Sequence, residues 1–399
     1  MKENIDKCLF LIGSGFSRPA GCKVSSEMLA DLQKHTQHEG GNIFNPVEKE
    51  VLKFLLFYLS YHCKWRSIQS GGRFKFNPNI EDLILLIKRI KDREKYFPYP
   101  IIKTQSEIDF KNLFSSIEFK IKTKLLKNWL KFNEKRLSYL KPLKSFLQDY
   151  PNQTFCINIF SLNYDLVIEK CFSEAGLWKG FSNGKWVGLE SSPNIDDERR
   201  RINLYKLYGS LDWIRDEAGD IWEGEKNSKK DLETDPFIIF GQGIKTVEPF
   251  FSLIYHFRKL LIEKEYIFVI GYSFSDPYIN NLLFSVIAGT NKRLVIVNPA
   301  LGIEEIKNIQ GQNTESKFGE CQHPDYKEKI SEYLKEIQKN PFYSELLEFN
   351  IRWIKPDNLF YIVWKIEEFI KKYFSDRGNL LKELIEQFER ERAYWEPFK

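Results

Sequence analysis

Cys8-Leu-Phe-Leu-Ile-Gly-Ser-Gly-Phe-Ser17 is the stretch whose reading decides the fold. Its first five residues are continuously apolar, the pattern of a strand buried on both faces in a parallel sheet, and Gly13 closes the run. Two glycines then stand where the backbone must turn sharply. Beyond them Ser25 and Ser26 suit the start of an amphipathic helix carrying Met28, Leu29 and Leu32.

Strand-like runs return at Phe155 to Phe160, Ile202 to Leu207, Pro236 to Phe240, Tyr266 to Ile270 and Arg293 to Val297, with helical patterns after the first and around the fourth. Between about Gly40 and Pro151 the texture is helical, rich in lysine and aromatics. There Ile117, Ile121, Leu125 and Trp129 share one face, leaving Lys120, Lys124, Lys127 and Lys131 as a solvated one. The segment from Ser182 to Asp235 reads as an irregular, hairpin-bearing excursion. Phe349 to Ile354 reads as a last strand, Leu359 to Tyr373 as a helix and Asn379 to Trp395 as a charged terminal helix. The sequence therefore predicts an α/β protein: a Rossmann-like parallel sheet from residues 1–40 and 151–375, a helical insertion at 41–150, and a helical C-terminal tail at 376–399.

Composition narrows the function classes. With 399 residues and 42% hydrophobic content the chain can bury a large core unaided. The 60 basic residues face 55 acidic ones, a mixed surface on which direct nucleic-acid binding is not expected. Six scattered cysteines form no Cys-x-x-Cys pair, which argues for a reducing cytoplasm and against structural zinc. The pairs His35 and His38, or Cys321 and His323, are too few donors to assign a metal. Met1 to Lys7 is charged and the apolar run after it too short for a secretion signal, so a cytoplasmic location is expected. Val51 to Tyr61 includes Lys53 and falls short of the about 20 residues a membrane span needs. It reads as a buried helix.

Four short segments carry polar groups to predicted strand ends, where open α/β sheets hold ligands. Gly13-Ser-Gly-Phe-Ser17 has the glycine pair of a dinucleotide-type loop, with Arg18 where a third glycine would fall; alone, it is equally an ordinary tight turn. Ser161-Leu-Asn-Tyr-Asp165 presents Asn163 and Asp165, which serve either a crevice or merely the cap of the helix starting near Leu166. Lys206-Leu-Tyr-Gly-Ser-Leu-Asp-Trp213 sets Tyr208 before a glycine turn, although buried aromatics are common in such a chain. Gly271-Tyr-Ser-Phe-Ser-Asp-Pro277 offers Ser273 and Asp276, the latter also a good helix cap, and Val297-Asn-Pro299 ends a further strand on Asn298.

These motifs, in this order, resemble the sirtuin-like NAD hydrolases of bacterial antiphage defence, over roughly residues 5–40 and 150–300. The resemblance implies NAD as substrate, cleaved to ADP-ribose and nicotinamide with no metal. Gly13, Ser14, Gly15 and Ser17, with Phe16 between them, would cradle the pyrophosphate; Gly271, Ser273, Asp276 and Asn298 match positions facing the adenosine half; Asn163 and Asp165 match the nicotinamide-ribose end. Asn163 would orient the attacking water. The family's catalytic histidine corresponds to Tyr208, a phenol some 3 pH units from useful basicity at neutral pH. Three explanations compete: another base in a natural enzyme, a natural binding-only member, or a substitution introduced to silence a hydrolase. One base change converts a His codon to a Tyr codon, which favours the third. A non-catalytic sensor of NAD or ADP-ribose is the alternative function. The resemblance further implies a homo-oligomer and a separate HerA-type ATPase partner, with an Argonaute-like protein as the alternative partner. An ordinary sirtuin deacylase is disfavoured, because two Cys-x-x-Cys pairs are missing.

Overall fold

The computed structural model describes residues 5–37, 42–69, 77–92, 110–148, 156–173, 176–189, 202–224, 235–240, 246–287, 290, 292–298, 351–354, 359–362, 366–375, 381–386 and 388–389. Strand β1 (Cys8–Ile12) is buried at all five positions, as its unbroken apolar run requires. It lies between two parallel neighbours, β2 (Ile157–Ser161) and β9 (Tyr266–Ile270), in an eight-stranded sheet of order β11-β12-β10-β9-β1-β2-β6-β3. Here β3 is Leu177–Trp178, β6 Ile202–Lys206, β10 Arg293–Val297, β11 Ile351–Ile354 and β12 Leu359–Ile362. Every pairing is parallel except β11 with β12.

The chain builds outward from β1 on one side, to β2, β3 and β6, and then crosses to start the other side at β9. Strand order therefore reverses between β1 and β9, the place where a doubly wound sheet leaves a crevice at its carboxyl edge. The registers align the strand ends there: Ile12 pairs with both Ser161 and Ile270, Ser161 with Lys206, and Ile270 with Val297. Whatever follows each of these five residues is delivered to one edge.

Between β1 and β2 the described chain is helical. The helices are α1 (Ser14–Ser17), α2 (Ser25–Thr36), α3 (Pro46–Gln69), α4 (Ile80–Asp92), α5 (Phe110–Lys120) and α6 (Lys141–Gln148). A π-helical segment, Ile121–Leu126, continues α5, and Ile117, Ile121, Leu125 and Trp129 are buried as their spacing predicts. Lys124, Lys127 and Lys131 are exposed, but Lys120 departs from the expected solvated face: its ammonium lies 2.7 Å from the buried Glu48 carboxylate.

Two other expectations are corrected. Pro236 to Phe240 forms no strand, only an isolated bridge between Ile238 and Gly209. Phe237 N–H and Ile239 N–H donate to the carbonyls of Trp213 and Tyr208, so the segment is a strap over the loop after β6. Leu359 to Tyr373 is not one helix: Leu359-Phe-Tyr-Ile362 is β12, beside β10, and α10 (Ile366–Phe374) follows. A short apolar run does not distinguish a buried strand from a helix by periodicity, and here the sheet's free edge took it. The excursion after β3 builds a second sheet of order β4-β5-β8-β7, from Phe181–Ser182, Lys185–Trp186, Ile221–Glu223 and Trp213–Arg215. In the expected tail, helical residues 381–386 and 388–389 bury Leu381, Leu384, Ile385 and Phe388.

Candidate functional site

The glycine loop is shaped by a backbone-on-backbone contact. Gly13 N–H donates to Ile270 O (3.0 Å) and Gly15 N–H to Gly271 O (2.9 Å). A β-carbon on Gly13 would stand 2.7 Å from Tyr272 Cα, one on Gly15 2.9 Å from Gly271 Cα, and one on Gly271 2.7 Å from Gly15 C. Gly271 also holds φ +65°, where any other residue is strained. The loops after β1 and β9 are thus one closely packed unit. With Phe16 N–H donating to Gly13 O at 2.9 Å, three of the N–H groups in the expected phosphate loop are spent inside it. Among the described residues nothing accepts from Ser14 N–H.

Asn163, buried just past β2, is drawn into this unit. Its Nδ2 lies 3.0 Å from Gly13 O and 3.2 Å from Ser17 Oγ, while no described residue donates to its Oδ1. Tyr139, from the helical region, donates to Phe16 O at 2.8 Å and clamps the loop from the other side. Nothing in the sequence pointed to Tyr139, which lies over a hundred residues from its partner. Asp165 lies two residues beyond Asn163: its buried carboxylate accepts through Oδ1 from Val167 N–H at 3.0 Å, at the start of α7 (Val167–Phe172). Below it Lys206, almost fully buried, donates to Asp165 O and lies 3.2 Å from Glu169 Oε1. Burial raises the Glu169 carboxyl and the Lys206 charge opposes that shift. This pair was also missed, although a lysine ending an otherwise uncharged strand is a visible sign of a buried charge.

Tyr208 leaves β6 at Gly209, whose φ of +87° makes the turn. Its ring is buried and its hydroxyl donates to Asp276 Oδ2, in the loop between β9 and α9 (Pro277–Ile287). Since β1 and β2 lie between β6 and β9, this hydrogen bond bridges the crevice over their ends. Asp276 serves twice, because its Oδ1 also caps α9 through Tyr278 N–H (2.8 Å). Burial, then the Asp276 charge and its hydrogen bond, push the Tyr208 hydroxyl well above a phenol's ordinary value. Tyr272, buried beside it, is raised by burial and by the Asp276 charge, while the hydrogen bond it accepts from Asp276 N–H opposes the shift.

The remaining expected residues hold the same loop. Asn298 donates from Nδ2 to Tyr272 O at 2.9 Å and the exposed Ser273 hydroxyl donates to Ser275 Oγ at 3.0 Å; beside them Asn280, on α9, donates to Phe274 O at 2.8 Å. Gly13, Gly15, Ser17, Asn163, Tyr208, Gly271, Asp276 and Asn298 are therefore brought to one edge, whereas Ser273 faces outward and Asp165 holds Val167 N–H at the start of α7. The described histidines are engaged elsewhere: His35 beside Asp31, His62 against Tyr58, and His256 against Tyr205 and Phe160. Cys321 and His323 lie outside the described residues. Among the described residues no three His, Cys, Asp or Glu side chains form a metal-holding group, and no helix is long and apolar enough to cross a membrane.

Residues 157–316 match the SIR2-like domain family. The match opens on the first residue of β2 and runs past β10, so it takes in Asn163, Tyr208 and Gly271 to Asn298. No curated protein matches the chain by sequence. Solved structures aligning with it include a triply substituted Sir2 homologue in complex with 2′-O-acetyl-ADP-ribose (12% identity, 80% of this chain and 97% of that one, TM-score 0.36). Another comes from work on the mechanism and regulation of Sir2 enzymes (10% identity, 96% and 100%, TM-score 0.36), and a third is a Sir2 homologue mutant with ADP-ribose (12%, 80% and 100%, TM-score 0.34). The matched residues include four of the five strand ends that the registers align, all but that of β1.

Proposed function

We propose that the crevice over β1, β2 and β6 binds NAD as a substrate, on a scaffold built to release nicotinamide and ADP-ribose, and that Tyr208 holds the base position in an unreactive form. The carrying observation is the Tyr208 to Asp276 hydrogen bond across the crevice. Cleavage of the glycosidic bond needs a group near neutral pKa to accept a proton as water or a ribose hydroxyl attacks. A buried phenol that donates to a carboxylate is the reverse of such a group. The same carboxylate would orient an imidazole at 208 by accepting from one ring nitrogen, leaving the other to act as base. Asn163 supports the reading from the next strand: its amide nitrogen is fixed by Gly13 and Ser17, which leaves Oδ1 to accept from a water or ribose hydroxyl.

Tyr208→His is expected to raise nicotinamide release from NAD by at least about 100-fold, the lower range of general-base catalysis, and Asn163→Ala in that background to remove the gain. A Tyr208→His protein that binds NAD and releases no nicotinamide would sink this reading. The second reading, a sensor that binds NAD or ADP-ribose without cleaving it, is favoured by the raised Tyr208 hydroxyl. Nicotinamide release by the Tyr208→His protein separates the two, since a sensor binds either ligand and cleaves neither whatever residue stands at 208. Service as an antiphage effector beside a HerA-type ATPase belongs to the first reading and rests on the sequence resemblance; co-purification with such an ATPase tests it.

A further inference from the structure

The strap of residues 235–240 is held from two sides, and its inner side reaches two positions of the candidate site. Ile239 N–H donates to Tyr208 O at 2.9 Å, and Ile239 O accepts from the Tyr164 hydroxyl at 2.8 Å. Tyr164 is buried, directly follows Asn163, and sets its ring edge-on to Phe240 at 5.7 Å between centroids. A single residue of the strap therefore joins the backbone at 208 to the neighbour of Asn163. The join comes where the sheet stops: Ser161 pairs with Lys206, and Asn163 and Tyr208 each stand two residues beyond that pair. Packing there is tight, since a β-carbon on Gly209 would press on Phe237 O and stand 2.9 Å from Ile238 Cα.

On its outer side the strap is pinned at each end by a lysine of the helical region. Lys88, in α4, donates from Nζ to Phe240 O at 2.7 Å. Lys122, in the π-helical segment, lies 3.7 Å from the Asp235 carboxylate. The buried Glu118 braces both helices, 3.2 Å from Lys122 Nζ and 3.0 Å from Lys91 Nζ. Burial of Ile238, Ile239 and Phe240 presses the strap onto the core, but apolar burial is non-directional. The hydrogen bonds at Phe237 N–H, Ile239 N–H, Ile239 O and Phe240 O are what fix its placement, and the one from Lys88, with a charged donor, belongs to the stronger kind.

We infer that Tyr164 and Lys88 are positioning residues for the reaction at 208, acting through the strap, so that the helical region sets how the side chain at 208 stands against Asn163. The inference rests on the hydrolase reading for its kinetic part and on these contacts alone for the coupling.

Tyr164→Phe and Lys88→Met, each placed in the Tyr208→His protein, remove a polar group and keep most of the apolar bulk. Misplacement by about 1 Å costs a reaction up to about 100-fold, so each is expected to lower kcat for nicotinamide release by about 10- to 100-fold. KM for NAD should stay within about twofold, because the glycine loop is held by Ile270, Gly271 and Tyr139 instead. Lys88→Arg, which still donates, recovers most of the loss. Hydrogen exchange on the chain with Tyr208 in place reads the coupling without any reaction. There Lys88→Met is expected to speed exchange across Tyr208 to Trp213 by at least about tenfold, the equivalent of one lost hydrogen bond, while β1 and β9 exchange as in wild type. Kinetics and exchange that both match the parent overturn the inference, as do a raised KM with unchanged kcat, faster exchange throughout the chain, or a Lys88→Arg protein as slow as Lys88→Met. A Tyr208→His protein that releases no nicotinamide overturns the hydrolase reading alone, and the exchange result then decides whether Lys88 holds residue 208.

Discussion

At the scale of single residues, the decisive positions are those where the chain has no second choice. Gly271 combines a left-handed backbone with a contact that a methyl group cannot enter. Gly271→Ala is expected to cost at least about 2 kcal/mol in stability and to weaken NAD binding by displacing the Gly13 to Ser17 loop; thermal melts and calorimetry read the two effects separately. Tyr208 is the other such position. Its folded pKa lies above its unfolded value, so its hydrogen bond is fully present below about pH 10 and is lost only as pH rises through the folded value. Subtracting the tyrosinate absorbance of a Tyr208→Phe protein from that of the wild type should therefore show no titration below pH 10 in the folded state. The glycines and Tyr208 were legible in the sequence as positions. Their partners were not, because Gly271, Asp276 and Tyr139 meet them only through long-range packing.

At the scale of elements, helix starts show how much local chemistry fixes. Asn45 accepts from Glu48 N–H while Glu48 accepts from Asn45 N–H, both at 2.8 Å, and Asn79 and Asp82 repeat the exchange at 3.0 Å ahead of α4. Both are capping boxes, readable as asparagine followed three residues later by an acid. Glu48 does more than cap. Burial raises its carboxyl, but bonds from Lys120, Asn45 N–H and Ser116 outweigh burial and hold it below the ordinary carboxylate value. Its contribution to stability is thus present above the unfolded carboxylate pKa and disappears as pH falls through the lower, folded one. Glu48→Gln is expected to lose about 3 kcal/mol at pH 7, and the gap to wild type should close below about pH 4 in denaturant titrations. Elements defined by such local rules and by long apolar periods were legible, as with β1, β9, β10 and the α5 face. Leu359 to Ile362 and Pro236 to Phe240 were not, because whether a short apolar run becomes a strand depends on which sheet edge is vacant.

At the scale of the whole molecule, the two ends of the sheet have separate duties. At the amino edge Phe388 stacks on Tyr266 at 5.7 Å between centroids, and Glu389 accepts from the Tyr266 hydroxyl (2.7 Å) and lies 2.8 Å from Lys7 Nζ. Phe388→Ala is expected to cost about 3–5 kcal/mol while NAD affinity of the folded fraction stays unchanged, since the crevice lies at the carboxyl edge. The glycine contact across that crevice has a further consequence, in time. Gly15 and Gly271 must touch for the loop to take its shape, yet some 250 residues of chain separate them. At about 5–20 residues per second of synthesis, the first loop waits on the order of ten seconds or longer for its counterpart to leave the ribosome. A nascent chain therefore carries no finished pocket, and nucleotide in its surroundings meets one only when β9 and the turn after it have been made.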